Sequence, residues 1–95
     1  MTDIFWDAAE QLEQHLAQAR YLLVDQAVKA GWKRERLFFV PSQHLRAGVM
    51  VSETLTDEHG SVGLLEVVRE GDVLKIYGKA PGLVERVEVG GRFVL

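Results

Sequence analysis

Three stretches in the second half of the chain, Leu64 to Val68, Val73 to Tyr77 and Val84 to Val89, can be registered so that charges meet charges and apolar residues meet apolar residues across all three. Such agreement marks neighbouring strands, because successive side chains of a strand point to opposite sides with a period of two. Laid side by side, Leu65, Ile76 and Val87 form one apolar row and Val67, Leu74 and Val89 the next. Glu66, Lys75 and Glu88 then form a row of alternating charge on the other face. A slip of one residue would break both sets, so the faces are strongly specified. The pattern predicts an antiparallel meander with turns centred on Glu70-Gly71 and Pro81-Gly82. A last loop over Gly90 to Arg92 is expected to fold the C-terminus back, pairing Val89 with Phe93 and Val87 with Leu95.

The first third of the chain has a different period. Phe5, Ala8, Leu12, Leu16, Ala19, Leu23, Ala27 and Ala30 recur at spacings of three and four, the stripe of an amphipathic helix. Asp3 is placed to cap its start, and Gly31 to end it. Tyr21, Leu22, Val24 and Val28 lie off the stripe, so the second half of the helix carries apolar residues that one sheet cannot cover. Beyond Gly31, Leu37 to Val40 reads as a strand stopped by Pro41 and therefore at a sheet edge, followed by a connector over 42–46 with a helical turn opened by Ser42. Val49 to Leu55 is the next strand, and Asp57-Glu58-His59-Gly60 a polar turn. The expected fold class is α+β: a long N-terminal helix packed on an antiparallel β-meander of four to five strands. One domain over 1–95 divides into a helix (about 3–30), a basic connector with edge strand (31–46) and the meander (47–95).

Charge is unevenly distributed. Residues 1–30 hold five acids and two bases, 31–46 one acid and four bases, and 47–95 eight acids and five bases, for a net charge of -3. A mostly acidic field repels nucleic acid, so phosphate contact is confined to Trp32, Lys33, Arg34, Arg36 and Arg46. There Trp32 could stack while the bases meet an anion. The competing structural reading is that these bases offset the negative end of the helix dipole and Trp32 folds onto the core. No apolar run approaches the roughly 20 residues of a membrane span, and with no cysteine there is no disulfide or thiolate chemistry. Without a basic-then-apolar leader, the chain reads as soluble and cytoplasmic.

Residues that could carry chemistry do not form a set. His15, His44 and His59 lack ligand spacing with one another or with an acid, and no metal is expected. Ser42 and His44 do not make an activated nucleophile, and the run from His59 to Gly63 lacks the spacing of a nucleophile elbow. Neither a phosphate-cradling loop nor a dinucleotide fingerprint occurs, so no catalytic residue and no cofactor is assigned.

Surplus apolar surface is the remaining signal. Leu64, Val68, Val73, Tyr77, Val84 and Val94 fall opposite the helix, with Glu66, Lys75, Arg86 and Glu88 between them. A patch of that kind on a small protein marks an interaction surface, here Leu64, Val68, Val73, Tyr77, Val84 and Arg86 with Tyr77 as anchor. The expectation is a small non-enzymatic accessory factor of inhibitor, immunity or chaperone type, acting by stoichiometric contact with a protein partner or with itself. Two other readings compete with it: a nucleic-acid or anion-binding module using 32–46, and a ligand carrier or enzyme with a helix-sheet pocket where His15 or His44 acts as base.

Overall fold

A computed structural model of the protein describes residues 3–80 and 87–94, with side chains for 10–80 and 87–89. Helix α1 (Asp3–Lys29) is followed by a 3-10 turn (Arg34–Arg36) and five strands: β1 (Phe38–Pro41), β2 (Val49–Asp57), β3 (Gly60–Glu70), β4 (Val73–Lys79) and β5 (Val87–Val94). The strands form one antiparallel sheet in sequence order, with β1 and β5 at its edges. The fold is the expected α+β arrangement, a helix on a meander. The side chain of Asp3, the turn at Pro81-Gly82 and the residue Leu95 lie outside the described residues.

The helical stripe is what joins the two layers. Leu16, Ala19, Leu23 and Ala27 are buried against Leu55, Leu65, Val67, Leu74, Ile76 and Ala80. Two of the four helix positions are alanine, and Gly78 lies beneath the helix. A Cβ there would stand 3.0 Å from Leu23 Cδ2 and 3.2 Å from Val89 Cγ2, so the missing side chain lets α1 settle onto β4 and β5. The helix ends with Trp32 N–H donating to the Ala27 carbonyl and Gly31 N–H to that of Val28, the paired bonds of a Schellman cap. The chain has no helical turn opened by Ser42. That hydroxyl instead accepts from His44 N–H and donates to the His44 carbonyl, while the helical turn lies earlier, at Arg34–Arg36.

The expected faces hold, but the expected register does not. Val67 pairs with Ile76, Leu65 with Gly78, Glu66 with Tyr77 and Val68 with Lys75, where the sequence pattern put Leu65 beside Ile76 and Glu66 beside Lys75. The displacement is two residues, which returns every side chain to the same face. Its cause is the turn: Gly71 (φ +63°) and Asp72 connect Glu70 directly to Val73, with glycine at the first central position where a positive φ is needed. The next ladder shifts likewise, Tyr77 meeting Glu88 and Gly78 meeting Val87, instead of Lys75 meeting Glu88 and Ile76 meeting Val87.

The C-terminal hairpin does not form. β5 runs unbroken from Val87 to Val94 along β4, so Val73 pairs with Val94 and Leu74 with Phe93. Between the pairs Tyr77–Glu88 and Lys75–Arg92 the β5 side holds two more residues than the β4 side, and Gly90-Gly91 falls in that bulge. Two glycines that could have made a turn are used to keep one long strand in contact with β4.

Among the described residues an ion pair ties the layers at their rim. Arg20 on α1 donates from Nε and Nη2 to the two carboxylate oxygens of Glu53 on β2, at 2.8 and 2.7 Å. The Glu53 hydrogen bond raises the Arg20 pKa against the opposing effect of burial, with the charges of Glu53 and Glu13 adding to it. Replacing Arg20 by Met strands a buried carboxylate. We expect a loss of about 2 kcal/mol, below the roughly 3–5 kcal/mol of a fully enclosed pair because Arg20 is partly solvated. The double variant R20M/E53M should recover most of that loss in chemical denaturation.

Candidate interaction surface

The sheet face away from α1 is set by alternation. Phe39 packs toward the core, so Phe38 and Val40 on the same strand point to the outer side. Val40 pairs with Thr54 and Thr54 with Leu64, which makes one row across three strands. The next row passes from Ser52 through Glu66 and Tyr77 to Glu88, and the one after joins Val68 to Lys75. Leu64, Val68, Val73 and Tyr77 therefore share the outer face as expected from their spacing, each half-buried; Val84 and Arg86 lie outside the described residues.

Polar contacts divide this face. Arg46, from the connector after β1, reaches over it to Glu66, 2.7 Å from the carboxylate, and Glu66 is almost wholly buried. Backbone bonds from Val49 N–H to Arg46 and from Arg69 N–H to Gly48 hold the connector against β2 and β3 at that end. Farther along, Lys75 Nζ donates to Glu70 at 2.6 Å and Tyr77 OH donates to its other oxygen at 3.1 Å. Tyr77 thus has its polar tip engaged by its own chain. The Lys75 hydrogen bond, followed by that of Tyr77, holds the Glu70 carboxyl below its ordinary value.

The most exposed large apolar residues are others. Phe38 is 52% and Val40 44% exposed at the β1 edge, Leu45 and Met50 are exposed near the connector, and Tyr21, Leu22 and Val87 on the opposite side of the molecule. Phe38 and Val40 were legible in principle, since the run Phe38-Phe39-Val40-Pro41 already alternates one inward position between two outward ones. Beside β5, Leu22, Leu23, Gln26, Gly78, Ala80, Val87 and Val89 line an apolar groove of about 320 Å³.

The basic segment is dispersed by its own contacts. Trp32 packs against the core as the residue that closes the helix cap. Arg34 lies 3.7 Å from Asp25 and over the Tyr21 ring, Arg36 meets Glu58 in the turn between β2 and β3, and Arg46 is on the outer sheet face. Lys33 is exposed. Three of the four bases thus face a carboxylate of the same chain, on different parts of the surface.

The histidines are equally scattered. His15 is half-buried on α1, His44 is exposed in the connector, and His59 is exposed beside Glu58. Asp57 Oδ1 accepts from His59 and Gly60 N–H, which is the bonding of a tight turn. Among the described residues no group of three His, Cys, Asp or Glu is placed to hold a metal ion, and no helix is long and apolar enough to cross a membrane. Comparison with family models, with curated proteins and with solved structures returns no match.

The Glu70 site gives a titration test. A carboxyl with a lowered folded-state pKa contributes stability above its unfolded pKa, and the contribution disappears as pH falls through the folded value. Side-chain carbon NMR should show Glu70 titrating below an ordinary glutamate, and Lys75→Met should move it upward. An unchanged titration in that variant would remove Lys75 as the cause.

Proposed function

We propose that this protein is a small non-enzymatic binding domain that acts by stoichiometric contact with a protein partner through the outer face of its sheet. The observation that supports it is the pair Phe38 and Val40, both on that face, both about half exposed, and continuous through Thr54 with Leu64. An aromatic and a branched aliphatic side chain left in water on an edge strand contribute nothing to the chain's own core, and such residues serve as anchors when a partner desolvates them. Arg46, Lys75 and Glu70 then act as the polar rim on one side, where their exposed atoms set orientation more than affinity. An inhibitor, an immunity-type protein or a chaperone-like accessory factor would each use a surface of this kind. Absence of cysteine fits a reducing compartment, and cytoplasmic action is part of the proposal.

The reading has a direct test. Capture of partners from native lysate, with stoichiometry determined on the purified complex, should yield one protein in fixed ratio. Phe38→Ser with Val40→Ser should weaken that complex by at least about 2 kcal/mol, roughly thirtyfold, while circular dichroism and thermal unfolding stay close to the parent. Retention of full affinity by the folded double variant would exclude this face.

A further inference from the structure

The side of α1 that faces away from the sheet carries a patch that is its own complement. With Leu16, Ala19, Leu23 and Ala27 turned to the core, a period of 3.6 residues places Ala17, Gln18, Tyr21 and Leu22 on the solvent side. All four are exposed, Tyr21 by 61% and Leu22 by 45%, and together they line a shallow apolar hollow of about 440 Å³. Arg34 stands over the Tyr21 ring, 5.6 Å from its centroid, and holds it in place. The four residues are symmetric about the level between Ala19 and Arg20. Reversing the helix there sets Ala17 against Leu22, small against large, and Gln18 against Tyr21, amide against phenol. The same reversal sets Glu10 against Lys29, both exposed. Charge is sorted along the whole element in this sense, with four acids and no base over 3–13 and four bases to one acid over 29–36. Lys29 lies 3.1 Å from Asp25, which Arg34 also approaches at 3.7 Å, so two bases share one carboxylate at the C-terminal end.

We propose that a second copy of this chain packs on this side, α1 against α1 antiparallel, about a twofold axis level with Ala19 and Arg20. The contact goes beyond the protein-binding reading above and lies on the opposite side of the molecule, so the outer sheet face stays open in the dimer. A twofold axis makes every contact twice, which is why a patch symmetric in sequence fits itself. Leu22 of each copy fills the space beside Ala17 of the other, and Tyr21 at the centre is the aromatic anchor. The charges select the direction. An antiparallel pair lays the acidic first half of each helix along the basic end of the other, with the two helix dipoles opposed, whereas a parallel pair would stack acid on acid and base on base. The geometry reaches the ends. Glu10 and Lys29 lie about 14 Å along the helix from the axis. At the crossing angle of about 20° usual for antiparallel bundles the helices diverge there by only about 5 Å, which long side chains span. One helix face covers less than the roughly 800 Å² per partner of a standard interface, so the dimer is reversible, with a Kd of about 10–500 µM.

Sedimentation of the whole chain over a concentration series tests it, with circular dichroism to confirm that each variant is folded. The parent should dimerise in the stated range. Glu10→Lys and Lys29→Glu should each weaken association about fivefold or more, because both attractive pairs become repulsive. An equimolar mixture of the two variants should then associate within about threefold of the parent, since only in the mixed dimer do the reversed ends again face opposite charges. That recovery requires contact between chains, and effects of either substitution on its own helix cannot produce it. Tyr21→Glu, at the centre of the patch, should abolish the dimer. A parent that stays monomeric to about 1 mM overturns the proposal, as does a mixture no stronger than its separate components or a dimer that tolerates Tyr21→Glu. Phe38→Ser with Val40→Ser should leave dimerisation unchanged, so a monomer that still binds a protein through Phe38 refutes the dimer alone.

Discussion

Everything in this molecule depends on α1 staying on the sheet. Leu55, Leu65, Val67 and Ile76 have no solvent exposure, and the helix residues Leu16, Ala19, Leu23 and Ala27 complete their cluster. At roughly 1.5–3 kcal/mol for each such side chain taken from water, these four sheet residues alone represent about 6–12 kcal/mol. That is the size of the whole net stability of an ordinary small domain. A five-stranded sheet without its helix would face water on both sides. The seam therefore constrains composition closely: small residues where backbones approach, branched ones between them, and an ionic contact at the rim, where Arg20 can keep part of its side chain in solvent.

The outer face follows a different rule. It holds enough valine, leucine and tyrosine to resemble a second core, but charged contacts within the chain cross its middle. Arg46–Glu66 and Lys75–Glu70–Tyr77 remove carboxylates and amines from competition with an incoming partner and leave their neighbours half covered. The face is thereby stable in water at its centre and apolar mainly at the β1 edge, where Phe38 and Val40 have no such cover. A surface graded in this way can exist alone and still have area to lose on binding.

The faces of the sheet were readable from the sequence, and the register was not, for one physical reason. Side chains alternate with a period of two, so a displacement of two leaves every apolar row apolar, and Leu65 can face Ile76 or Gly78 with the same burial. Only the turn distinguishes them, and there a glycine at the first central position selected Gly71-Asp72. The same limit explains Gly90-Gly91. A glycine pair serves a turn or a bulge equally well, and the long ladder to β4 decides for the bulge. Trp32 shows the reverse case: helix cap and basic cluster were both legible, and the cap prevailed because burying an indole ring contributes more than displaying it beside arginines that have carboxylates of their own.

The two ends of the sheet differ in a way that bears on what each can accept. β1 has four residues and ends in Pro41, which offers no N–H, and such a strand supports little added pairing. What it offers is side chains, Phe38 and Val40, on the outer face. β5 is twice as long and has no proline. What it offers is backbone. A partner recognised at β1 must therefore be recognised by shape and apolar fit, whereas one recognised at β5 must be a strand in register. The two demands are met on different edges and different layers, so occupation of one leaves the other sterically open.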